Sequence, residues 1–269
     1  MFTVLIAVAS GVAVGLGLFF GGACGLGWSI GGGVLAFLAA QVFLGRIIQK
    51  RVKAAMDSVQ GVLMEGQKRL QAKMARWQMR PPGSIQAAQA EIARDQKVFV
   101  REALERTEVL HKFENWVPMM RRQIATAQFQ LYWMIKDFKK VDELMPKALY
   151  FDPTMSAMKL ARMFMTNQPV EEMSKVYEKA TRRLRYNQNV LLAAAWSWIL
   201  IQKKDVDGAF KALNAALEKS DNETLKANRE HLANNRVAHF SNTAIGDQWY
   251  ALQLEEPRVH QQRMRPQWR

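Results

Sequence analysis

From Phe2 to Gly45 the chain carries no Lys, Arg, Asp or Glu, and Gln41 is the strongly polar side chain of the stretch. As one helix it would reach roughly 66 Å at about 1.5 Å per residue, twice the roughly 30 Å of a bilayer's hydrocarbon core. The run Gly21-Gly22-Ala23-Cys24-Gly25 near the middle supplies a tight turn. The pattern therefore predicts a transmembrane helical hairpin over 1–45, with spans at 3–20 and 26–45. Beyond it, Ile48, Val52, Ala55, Val59 and Val62 step by four and three, the seam of a helix leaving the membrane. Leu63, Leu70, Met74 and Trp77 continue that seam after a shift, and Gly61 and Gly66 are expected to weaken its middle. Pro81-Pro82-Gly83 ends this helix, because proline cannot continue it. Ser84 suits the N-cap of the next, where Ile85, Ile92, Phe99, Ala103, Leu110 and Phe113 form an apolar stripe ending near Asn115. A long juxtamembrane pair of antiparallel helices accounts for 46–117. A heptad pairing between two protomers would explain the same stripe.

After Trp116 the pattern becomes repetitive. Ala148-Leu149-Tyr150-Phe151-Asp152-Pro153 closes one helix, preceded by Lys136-Asp137-Phe138, Val141 and Met145. Met173, Tyr177 and Ala180 fill the same slots further on, and so do Ala209, Leu213, Ala216 and Leu217. Ala148, Ala180 and Ala216 are 32 and 36 residues apart. The helices before them also agree: Ala157, Leu160, Ala161 and Phe164 match Ala193, Trp196, Ser197 and Leu200, while Gln128 and Phe129 depart from the pattern in the first unit. These residues resemble the tetratricopeptide repeat family, whose period is 34. The resemblance covers 118–257 and implies an α-solenoid of three to four helix pairs. The stretch 223–256 reads as a degenerate repeat or polar cap: Ala251-Leu252-Gln253-Leu254-Glu255-Glu256-Pro257 echoes the earlier ending, but His231 and Asn235 fit the packing places poorly. The fold class expected is all-α throughout.

Charge locates the chain relative to the bilayer. The net +14 suggests a nucleic-acid binder until its placement is seen, since none of it lies in 1–45. Residues 46–80 hold nine Lys/Arg against Asp57 and Glu65. Arg46, Lys50, Arg51 and Lys53 follow the second span at once, which by the positive-inside rule keeps that end, and the N-terminus with it, on the cytoplasmic side of a cell (inner) membrane. These four are also the candidate contacts to anionic lipid headgroups, at about 1 kcal/mol per basic residue. A cleaved signal peptide would need a basic n-region that Met1–Leu5 does not offer, and a lipoprotein signal would need a leucine ahead of Cys24. Gly11/Gly15, Gly17/Gly21 and Gly27/Gly31 have the small-xxx-small spacing that serves either packing within the hairpin or self-association. Arg182, Arg183 and Arg185 form a second basic cluster, and Arg258, Arg263, Arg265 and Arg269 mark 258–269 as a basic tail. No motif for specific nucleic-acid recognition accompanies them.

Catalytic and metal chemistry find no support. His111, His231, His239 and His260 are scattered, and Cys24 is the lone cysteine. Gly31-Gly32-Gly33 has no lysine and is a membrane feature, and Asn222-Glu223-Thr224 matches a glycosylation sequon at chance level. No enzyme activity, metal or cofactor is implied. Binding remains. By the resemblance, a groove lined by the first helices would present Gln130, Trp133 and Met134, then Arg162 and Thr166, then Trp198 and Gln202, an apolar surface suited to a peptide or helix of a protein partner. The alternative for Trp133 and Trp198 is a place in the core. The arrangement of two spans followed by repeats resembles the HemY-like group of bacterial inner-membrane proteins in architecture. It implies a membrane-tethered scaffold. The competing expectation is an oligomeric membrane-complex or pore subunit built on the glycine-rich hairpin.

Overall fold

The uncharged N-terminal stretch folds as two helices in antiparallel contact. In the computed structural model, which describes residues 2–21, 26–79 and 84–256, every regular element is helical. The expected turns at 22–25 and 81–83, the tail at 258–269, Cys24 and His260 lie outside the described residues. The chain forms two compact units that divide between Leu149 and Tyr150.

In the first unit, α1 (Phe2–Phe20) packs along the start of α2 (Leu26–Met79). A Cβ on Gly11 would fall 2.8 Å from the Gly33 carbonyl oxygen and 2.9 Å from Phe37 Cβ, so only hydrogen fits and the two backbones touch. Gly11 and Gly15 are thus spent inside the hairpin, whereas Gly27 and Gly31 face open space. The outer surface is apolar: Leu5, Phe20, Trp28, Leu35 and Phe43 are 63% to 79% exposed. Both helices are long and apolar enough to cross a membrane.

No break separates the apolar and basic parts of α2, which runs for 54 residues, about 80 Å at ~1.5 Å per residue. α3 (Ile85–Glu108) returns antiparallel beside it. The seam and the stripe meet within one chain: Val59, Phe99, Val100 and Ala103 form a core with Val62, Leu63 and Leu70 packed against it. Gly66 has a use here that its helix propensity hides. A Cβ at this position would run into the Phe99 ring, so the bare backbone is the notch that seats it. Lys73 reaches across to Glu91 at 2.7 Å and to Asp95. A 3-10 turn over Val109–Phe113 leads to α4 (Met120–Met134) and α5 (Phe138–Leu144). Leu110, Met120 and Ile124 close a second cluster against Val52, Ala55 and Met56 of α2.

The second unit contains α6 (Pro153–Met165), α7 (Val170–Thr181), α8 (Val190–Gln202), α9 (Val206–Leu217) and α10 (Glu223–Ala233). Side chains cap the starts of α6, α9 and α10. Asp152, Asp205 and Asn222 each accept a hydrogen bond from the amide three residues on, and Pro153 opens α6 without needing a donor. The ends of α6, α8 and α10 share a device that also closes α4. Lys136, Asn167, Lys204 and Asn235 have positive φ, and the next amide bonds the carbonyl five residues back, at Tyr132, Met163, Leu200 and His231. That is the Schellman closure. It recurs 31, 37 and 31 residues apart.

α8 is the centre of this unit. Every residue from Leu191 to Leu200 is buried, as expected of a helix apolar on all sides. Tyr177 of α7 stacks on Trp196, and Asn189 ties the helix start to the Ala216 carbonyl at 2.9 Å. After α10 no second long helix follows among the described residues. Two 3-10 turns and the four-residue α11 (Asp247–Tyr250) take its place, because 236–256 has no 3.6-period apolar stripe and Gly246 turns at φ 77°.

Candidate membrane and partner-binding surfaces

The four basic residues expected to meet lipid lie on the exposed surface of α2 just past its uncharged part. Arg46, Lys50 and Lys53 share a face by their spacing of four and three, and Arg51 sits a quarter-turn away. Among the described residues none of the four is held in an ion pair.

The groove residues fare differently from one another. Gln130, Thr166 and Gln202 are exposed at the ends of α4, α6 and α8, and Arg162 is half-buried. Met134 leans on the Val59–Phe99 core. Trp133 is 1% exposed, stacked on Phe129 with centroids 5.9 Å apart and edge-on to Phe138. Trp198 is 8% exposed, between Phe164 at 5.3 Å and Trp249 at 6.0 Å. Both tryptophans are core residues. The expectation that they face a partner is corrected: in a helix like α8, apolar all round, no period marks which side stays open, and this chain covers its own open side.

The cover comes from 240–256, a stretch whose sequence suggests a polar cap but does not reveal its contacts. The Glu255 carboxylate accepts from both indoles, Trp198 Nε1 at 2.8 Å and Trp249 Nε1 at 2.7 Å. Asn242 donates to the Ala194 carbonyl at 3.0 Å and accepts from Asn228 at 2.8 Å. Trp249 and Leu252 are fully buried. Glu255, within the echo Leu254-Glu255-Glu256, carries no local signal of this role, because its partners are 57 and 6 residues away.

No family model, curated protein or solved structure matches the chain.

Two other placements emerge only in three dimensions. Among the described residues of the second unit, Phe151 and Tyr186 are the large apolar side chains left well exposed, at 63% and 64%. The Arg183 guanidinium lies 5.7 Å from the Phe151 ring centre, and Arg182 and Arg185 flank it. Next to Phe151 in the chain, the Tyr150 ring is covered by the Lys159 ammonium at 4.7 Å. Burial, followed by the neighbouring Lys179, holds that ammonium below the ordinary lysine range, and burial raises the Tyr150 phenol. The His231 and His239 rings come within 5.6 Å, but among the described residues no group of three His, Cys, Asp or Glu is placed to hold a metal ion. Near them a hollow of about 340 Å³ is lined by His239, Ser241, Thr243, Glu255 and Glu256. Ser241 and Thr243 bond each other at 3.0 Å, and Glu255 accepts from the two indoles.

Proposed function

We propose that this chain is a membrane-tethered helical scaffold. Its hairpin sits in a cell membrane, and its helix pairs hold a protein partner at the cytoplasmic face. One observation carries the reading. An uncharged helix pair that turns large apolar side chains outward over its whole length runs, without a break in α2, into a basic water-facing helix. In water that surface would be unsheltered apolar area far beyond what a monomer tolerates; in lipid it is matched. The onset of charge at Arg46 sets the second span's end on the cytoplasmic side. The recurring Schellman closures, with Ala157, Ala161, Ala193, Ala209 and Ala216 buried between helices, support a tetratricopeptide-like stack.

The partner surface that fits this reading is the exposed Phe151–Arg183 pair, with exposed Tyr186 three residues on from Arg183, since aromatic and arginine side chains anchor interfaces. Membranes washed with alkaline carbonate should retain the full-length chain. A chain that stays in the supernatant after high-speed centrifugation without detergent overturns the reading. A photo-crosslinker at Tyr186 should capture a partner protein in native membranes, and one at the exposed Lys211 of α9 should not; equal labelling removes the patch.

One observation favours the second reading, an oligomeric membrane subunit. An apolar groove of about 580 Å³ opens on the hairpin, lined by residues from Val8 to Phe37, with Gly27 and Gly31 uncovered nearby. A self-ladder on cross-linking that survives deletion of 118–269 would favour it.

A further inference from the structure

We infer that the loop Asn115–Met119 is a second lipid contact, lying in the headgroup layer of the same bilayer that the hairpin spans; this rests on the membrane reading above. The loop is fastened to the start of α1. Phe2 N donates to the Asn115 carbonyl at 2.9 Å, Thr3 Oγ1 donates to the Trp116 carbonyl at 3.3 Å, and the Phe2 ring meets the Trp116 ring edge-on at 5.5 Å. The first amides of a helix have no partner in their own helix, so a carbonyl supplied from 115 satisfies one where water is scarce.

The level of the loop follows from packing. α1 is antiparallel to α2, with Gly11 against Gly33 and Phe37 and Gly15 against Ser29. At that register its first residues lie beside the end of the uncharged part of α2, where Arg46 begins. The 3-10 turn after α3 and the start of α4 come in from the other direction, with Leu110 and Met120 against Val52, Ala55 and Met56, about two to three helical turns beyond Arg46. Contacts from opposite directions therefore place Trp116 at the boundary between uncharged and basic surface. If lipid fills the space around 2–45, its headgroups surround this loop.

The side chains there fit that layer. Trp116 is half-buried, Pro118 is exposed, and Met119 is 48% exposed at φ 62°. Lys112 stands exposed on one side; Arg121 on the other is exposed too, but is paired with Glu114 at 3.0 Å, which leaves Lys112 as the cation facing headgroups. Tryptophan concentrates at the membrane interface because its ring is apolar and its N–H is not, and flanking cations attract anionic headgroups. A positive φ at a methionine is uncommon, and the α4 start holds it: the amides of Arg122 and Gln123 donate to the Met119 carbonyl at 2.9 and 3.0 Å. The occupant is thus an anionic lipid surface continuous with the one around the hairpin.

The test uses the full chain in vesicles of phosphatidylcholine and phosphatidylglycerol, with Cys24→Ser and one new cysteine carrying an environment-sensitive fluorophore. Sites are Met119→Cys, Lys112→Cys, Leu35→Cys in the hairpin and Gln89→Cys, exposed near the far end of α3 in the same unit. Labels at 119 and 112 should be quenched by headgroup-proximal spin-labelled lipid at least about twofold more than the label at 89, and less readily by aqueous iodide. Quenching at 119 and 112 equal to that at 89, with 35 still quenched by lipid, overturns this inference and leaves the membrane reading intact. A label at 35 open to iodide overturns the membrane reading itself. Far-UV circular dichroism matching the Cys24→Ser parent ensures that each variant is folded.

Discussion

Two glycines five residues apart in α2 show how a residue's worth depends on what lies over it. A Cβ on Gly61 would meet nothing within 4 Å, so Gly61→Ala removes only the flexibility that glycine brings to a helix. It should stabilise the protein by up to about 1 kcal/mol. Gly66 lies under the Phe99 ring, and Gly66→Ala should cost about 1–3 kcal/mol through the displaced ring. Thermal unfolding of the detergent-solubilised chain, followed by circular dichroism, should move in opposite directions for the two; a shared direction would refute the notch. Glu255 makes a parallel case in the second unit. Its removal in Glu255→Ala leaves two largely buried indole N–H groups without an acceptor, each costing about 1–3 kcal/mol. Glu255→Gln keeps one acceptor oxygen and should lose less. Urea midpoints rank the pair.

At the scale of elements, the junction between α3 and α4 carries a pH dependence. The His111 ring bonds the Glu114 carboxylate at 2.5 Å and Arg121 bonds it at 3.0 Å, and these, His111 first, hold its carboxyl below the usual range. A carboxylate whose folded pKa is depressed binds fewer protons folded than unfolded, so its stabilisation is present above the ordinary carboxylate pKa. It is lost as pH falls through the lowered folded value. Protease cleavage around 114–121 should accordingly rise toward acid, and Glu114→Gln should raise cleavage at neutral pH and flatten the acid dependence. An unchanged profile would show that the junction is held by packing alone. The start of α3 after Pro81-Pro82-Gly83 was legible, although Ser84 makes no side-chain cap bond there. The caps at Asp152, Asp205 and Asn222 were not legible as helix starts, and Asp152-Pro153 reads in the sequence as a helix ending. The closures were hidden as well. Lys136 and Lys204 adopt the left-handed turn without being glycine, so composition did not announce them.

For the whole molecule, the decisive quantity is the surface that 2–45 turns outward. Introducing a charge on that surface, as in Leu35→Lys, should lower recovery in the membrane fraction, with a penalty of about 2.5–3.5 kcal/mol near the middle of a span. A charge change outside it, Lys211→Glu, should leave membrane recovery unaltered. Fractionation at matched expression measures both.

Local chemistry along the chain was enough to determine the all-helical class and the uncharged N-terminal helices with their basic flank, because charge and hydrophobic period act over one or two turns. That the seam of α2 meets the stripe of α3 within one chain was decided by the tertiary structure. Only the tertiary structure decided that Gly66 is a seat for Phe99, that Trp133 and Trp198 are core residues, and that 240–256 closes over α8. Burial is a property of what comes to rest against a side chain. For Trp198 that neighbour is a carboxylate 57 residues on, beyond the reach of any local pattern.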